Sequence, residues 1–104
     1  MAEPHETHWT FLTNHAHVLL CIARDHQTRI RDIAAQVGIT DRAVQRIITD
    51  LEEAGYLKHK RAGRRNEYEI CIDVALRHPM EEGRTIGMLL AILADWHDSK
   101  PPLS

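Results

Sequence analysis

The sequence predicts a mainly α domain of the α+β kind: a three-helix core, one two-stranded β-hairpin and a last helix. Three observations carry the prediction. Apolar residues recur at helical spacing in four separate stretches, Gly and Pro are scarce at 5 and 4 of 104 residues, and strict alternation appears once, over Glu67 to Ile72. A chain of this length can bury one small core, so a single domain over 1–104 is expected, with its core over about 9–75.

The first helix is expected from a cap at Thr13 to about Arg24, with Leu12, Ala16, Leu19, Leu20 and Ala23 at helical spacing. Asp25 to Thr28 reads as a polar connection. "RIRDIAAQVG" forms the second: Ile30, Ile33, Ala34 and Val37 share a side, and Gly38 ends it in a left-handed conformation. Gly38, Ile39 and Thr40 separate it from the third helix, and the Thr40 hydroxyl can accept from a free backbone N–H as N-cap. A short turn containing Gly between two short helices is the local signature of a helix-turn-helix.

The third helix is expected from Asp41 to about Ala54, with Ala43, Val44, Ile47, Ile48 and Leu51 as its apolar stripe and Arg42, Gln45, Arg46 and Thr49 on the other face. Gly55 stops it. "YLKHKR" and "NEYEICI" then flank "AGRR" as a hairpin, with Tyr68, Ile70 and Ile72 on one side of the second strand. "ALRHPM" reads as a loop ending at Pro79. The last helix is expected over about 81–97, with Ile86, Leu89, Leu90, Leu93 and Trp96 on one face and Gly83 and Gly87 weakening it locally.

Formal charge is −2, but its distribution is uneven: residues 1–23 carry −2, residues 24–65 carry +4, and residues 66–104 carry −4. Screening confines such charges to local effect, so an acidic total does not exclude an anionic partner for the middle segment. The apolar runs are too short to span a bilayer, and "MAEPHETHW" lacks the basic start of a signal peptide, which predicts a cytoplasmic chain without membrane contact. Cys21 and Cys71 have no CxxC or CxxH partner and read as buried thiols.

Helix, helix, tight turn, helix and basic-tipped hairpin together make the order of a winged helix-turn-helix. "IRDIAAQVGITDRAVQRIITDLEEAGYLKHKRAGRRNEYEI" resembles the DNA-binding core of MarR- and ArsR-like winged-helix transcriptional regulators. Within them it is most similar to small single-domain bacterial members, common in actinobacteria, that share "FLTNHAxVLLCIA" and "LRHPxE". The resemblance covers about residues 9–95. It implies a homodimeric DNA-binding regulator, a repressor by analogy, with terminal helices forming the dimer.

The residues make the same case independently. Arg42, Gln45 and Arg46 suit base edges in the major groove, since Arg pairs bidentately with guanine and Gln with adenine. Thr49 can reach a phosphate or a thymine methyl, and the N-terminus capped by Thr40 offers N–H groups to a phosphate. Asp41 can cap, hold a neighbouring Arg, or accept from cytosine. Lys58, Lys60, Arg61, Arg64 and Arg65 are expected along the backbone or in the minor groove, supplying affinity without base information. Glu52 and Glu53 should point away from DNA. Two copies would place their recognition helices about one turn apart on a palindromic operator. Ile86, Leu89, Leu90, Leu93 and Trp96, joined by Trp9, Phe11 and Leu12, are the candidate dimer surface.

Three other classes compete. A metal- or ligand-responsive sensor of the same fold is suggested by 8 histidines, but His15 and His17 are poorly spaced, His5 and His8 lie near the end, and "DWHD" resembles only the first half of a C-terminal-helix zinc site of some ArsR-like sensors. No metal or cofactor is therefore expected, and an effector is left open. A winged-helix protein-interaction module needs no such charge at the hairpin tip. An enzyme is disfavoured: no nucleophile triad, phosphate loop or carboxylate pair is legible.

Overall fold

The computed structural model describes residues 9–98, with side chains as far as Ala94. The described residues form α1 (Asn14–Arg24), α2 (Ile30–Val37), α3 (Asp41–Glu53), β1 (Leu57–Ala62), β2 (Arg65–Ile70), a 3-10 turn (Pro79–Glu81) and α4 (Ile86–Asp98). Val18, Leu19 and Ile22 of α1 meet Ile33 of α2, Val44 of α3 and Leu57 of β1 at the centre, with Tyr68, Ile86 and Leu90 closing the cluster.

The helix ends behave as the residues dictate. Gly38 sits at φ 87 after α2, where Ile39 N–H donates to Ala34 O at 3.1 Å, and Gly55 sits at φ 88 after α3, where Tyr56 N–H donates to Leu51 O at 2.9 Å. Both close a Schellman-type ending that only a residue tolerant of positive φ adopts cheaply. The Thr40 hydroxyl accepts from Ala43 N–H at 3.0 Å, a cap that contributes about 1 kcal/mol. Thr13 is different: it holds the N-cap position of α1 with no side-chain bond, its carbonyl accepting from Ala16 and His17 instead.

Four boundaries and faces depart from the sequence expectation. In α1 the buried set is Val18, Leu19, Cys21 and Ile22, because the helix is packed by α2 and α3 on one side and α4 on another, leaving Leu20 and Ala23 half-buried. The hairpin loop is only Gly63 and Arg64, since Ala62 already pairs with Arg65. Gly63 at φ 68, followed by a residue of negative φ, fits a type II′ turn. β2 ends at Ile70: Cys71 N–H bonds to Tyr56 O at 2.8 Å, the chain turns, and Ile72 is left 57% exposed. Cys71 is accordingly half-buried rather than buried.

The fourth departure is the start of α4, five residues later than expected. His78, Pro79 and Glu81 form a capping box around the 3-10 turn, Gly83 turns the chain at φ 87, and Ala75 bridges to Thr85 before the helix can begin. The Thr85 hydroxyl accepts from Met88 N–H at 3.2 Å, capping the helix there. Tyr56, buried at the base of the hairpin, donates its hydroxyl to Ala75 O at 2.6 Å and so ties this segment to the end of α3. Burial pushes that phenol up; Arg77 opposes and Glu81 adds to the shift.

Gly87 is not a helix defect. A Cβ there would stand 2.7 Å from both Cβ and O of Ile72, and Gly87 N–H donates to Ile72 O at 3.0 Å. Gly87→Ala should therefore lower stability, although alanine is the better helix former by about 1 kcal/mol. A raised urea midpoint would overturn this packing account.

Candidate nucleic-acid interface

α3 is held by one face. Val44, Ile47, Ile48 and Leu51 are buried, while Asp41, Arg42, Gln45, Arg46 and Thr49 are exposed, so every donor expected to read bases lies outside the core. Arg42, Gln45, Arg46 and Thr49, but not Asp41, line an open groove of about 810 Å³ whose other wall is Thr13, Asn14 and His15 at the start of α1. That wall was not legible in sequence, where α1 and α3 lie far apart. His15 Nε2 meets Asp50 Oδ2 at 2.9 Å, tying α1 to the recognition helix one turn beyond Arg46. Asp41 makes no ion pair among the described residues, leaving its Thr40 neighbour as the actual cap.

At the far end of α3, Glu52 accepts from His59 Nδ1 of β1, so this carboxylate is turned toward the hairpin base. Glu53 is exposed. The pair joins helix and hairpin across the Gly55 turn.

The hairpin register divides its five cations. Lys58 stands directly opposite Glu69 and Lys60 opposite Glu67, so each shares its face with an acid. Arg61 stands opposite Asn66, Arg64 is in the turn, and Arg65 is paired only with Ala62. The cations with no acid directly across the strands are thus the three arginines at the tip. They line a cleft of about 370 Å³ together with Arg29, the N-cap of α2, a residue the sequence reading passed over because its neighbours in the fold come from the hairpin.

A second cleft of about 730 Å³ lies between the hairpin and α4, lined by the apolar Ile70, Ile72, Leu90 and Ala94 and by the charged Lys58 and Glu67. Among the described residues no three of His, Cys, Asp and Glu gather to hold a metal ion, and no described helix is long and apolar enough to cross a membrane. Cys21 donates to Gln36 Oε1 at 3.3 Å; burial pushes its thiol up, with Arg24 opposing, which keeps it from acting as a thiolate.

The candidate dimer residues separate by position. Ile86 and Leu90 are 7% and 6% exposed because α4 lies against α1 and fills the chain's own core, so they offer no surface to a second copy. Leu12, Leu89 and Leu93 are half-buried; Trp96 lies outside the described side chains. Outward-facing apolar side chains near these positions include Met88 and Ile92 of α4, at 49% and 68% exposure, and Trp9 and Phe11, which pack edge to face with centroids 5.1 Å apart; Ile72 and Met80 are exposed elsewhere.

Residues 13–58 match a family described as winged helix-turn-helix DNA-binding. The matched span runs from the N-cap of α1 to the first residues of the hairpin. The fold is a winged helix-turn-helix. The crystal structure of the AntR antimony-specific transcriptional repressor is similar across the whole winged helix, covering 95% of each chain with a TM-score of 0.52 at 17% identity. A comparison with curated proteins found no significant match. This winged helix has a two-stranded antiparallel wing, β1 and β2, carried directly out of α3 by Gly55.

Proposed function

We propose that this winged helix is a sequence-specific double-stranded DNA-binding transcriptional regulator without enzymatic activity, α3 entering the major groove and the wing lying on the backbone or in the minor groove. One observation carries it: Arg42, Gln45, Arg46 and Thr49 are all exposed on one face of a helix whose other face is locked into the core. Bidentate readout needs such planar donors on a rigid support. The tip arginines add affinity for any sequence.

A homodimer on a palindromic operator follows from size, since one recognition helix and one wing make few phosphate contacts. Met88 and Ile92 with Trp9 and Phe11 supply the outward apolar surface for it. A repressor role is proposed by analogy with the regulators the sequence resembles. The cleft between wing and α4 favours a second reading, a ligand-responsive regulator of the same fold, because its volume falls within the usual range for small-molecule pockets.

The test is selection from random duplex DNA, then anisotropy titration of the recovered motif. Arg46→Ala should relax preference at one base position, narrowing the gap between cognate and mismatched duplex by about 1–3 kcal/mol. Failure to recover any motif, with wing variants binding as the parent does, would sink the DNA reading.

A further inference from the structure

We propose that the cleft between the first turn of α2 and the wing tip is a seat for a phosphate group, with Arg29 as the residue that completes it. Arg29 comes from the helix-turn-helix, whereas Arg61, Arg64 and Arg65 come from the hairpin, and all four line the same cavity of about 370 Å³. Its remaining lining residues, Thr28, Ile30, Asn66 and Tyr68, include no acid.

Four arginines lining one cavity give it a net positive character that favours an anion there, although all four are exposed and solvent screens their mutual repulsion. Among the described residues no carboxylate lies within ion-pair distance of any of them. The neutral contacts present are long: Arg61 Nη1 donates to Asn66 Oδ1 at 3.5 Å and Arg65 Nη1 to Gln27 O at 3.4 Å. Each guanidinium carries five donors, so most of this capacity is free for an oxyanion, and the planar fork matches phosphate oxygens. The backbone adds to it. α2 begins beside the cleft with no side-chain cap, and the N–H groups of Ile30 and Arg31 have no partner among the described residues.

The chemistry recognised is a phosphate monoester or diester, and two sources present it: the DNA backbone or a free phosphorylated small molecule. The seat goes beyond the DNA reading and does not depend on it. Filling it would fix the wing against α2; beside the cleft, Tyr68 N–H of β2 already donates to His26 O of the α1–α2 connection at 2.8 Å.

The experiment titrates pyrophosphate into the full chain labelled with 15N, without DNA, following backbone amides and arginine Nε signals. Saturating shifts are expected at Ile30, Arg31 and the cleft arginines. Arg29→Gln should weaken binding by about tenfold, Arg29→Lys should recover part of it, and Arg24→Gln, at the far end of another helix, should bind as the parent does. Shifts that grow without saturation, or that are equally strong in Arg29→Gln, overturn the proposal. A duplex arm then names the source. Displacement of bound duplex by pyrophosphate, with the Arg29→Gln salt slope shallower by about one, assigns the seat to the DNA backbone. Saturable pyrophosphate binding with duplex binding undisturbed or absent assigns it to a free ligand.

Discussion

Replacing Arg64 and Arg65 together by glutamine should weaken binding to cognate and random duplexes alike, by roughly thirtyfold at about 0.15 M salt. Each phosphate contact releases counterions and at that salt contributes a factor of about five, so two contacts multiply to the larger figure. The slope of log affinity against log salt should become shallower by about two, while the preferred sequence stays the same. The register of the hairpin supplies a contrast that charge counting does not. Lys58 and Lys60 face Glu69 and Glu67 across the strands, so replacing those two lysines should cost less than replacing the tip arginines. Anisotropy titrations at two salt concentrations measure both, and equal losses for the two pairs would contradict this division of the wing.

Ile33→Ala should lower the free energy of unfolding by about 2–5 kcal/mol. Ile33 is fully buried at the meeting point of α2 with α1 and α3, in a core small enough that its walls cannot easily collapse around the void. Small domains have roughly 5–15 kcal/mol in all, so the variant keeps only part of that margin. Ile33→Val removes one methylene and should cost about 0.5–1.5 kcal/mol. Urea denaturation followed by circular dichroism gives both values. DNA affinity should follow the folded fraction, because Ile33 is fully buried in the core and presents no atom to solvent. A variant that keeps its urea midpoint would show the core to be more plastic than its packing indicates.

Local features were legible because local physics decides them. Gly38, Thr40 and Gly55 mark the limits of the helix-turn-helix, since positive φ and hydroxyl capping are properties of single residues. The spacing of Val44, Ile47, Ile48 and Leu51 likewise separates the buried face of α3 from Arg42, Gln45 and Arg46. The start of α4 was not legible. Glu81 and Glu82 extend a helical pattern on paper, but His78 caps a 3-10 turn and Thr85 is drawn into a bridge with Ala75, a contact between residues ten apart.

The same limit applies to the site. Five bases between Lys58 and Arg65 read alike in sequence, yet strand register sets two of them against acids and leaves three at the tip. The stripe on α4 read as surplus apolar surface, whereas Ile86 and Leu90 complete the core and Met88 and Ile92 face outward. Gly87 read as a weak point and is where Ile72 comes closest.

By itself, then, the sequence determined the order of elements, their caps and the polar face of the recognition helix, because each depends on residues within a turn or two of one another. Tertiary structure alone decided which wing charges stand opposite an acid, which face of α4 is outward, and that Arg29 joins the wing arginines and His15 joins Asp50. Those are pairings between distant segments, set by how packed helices and strand register bring them together, and no local pattern encodes them.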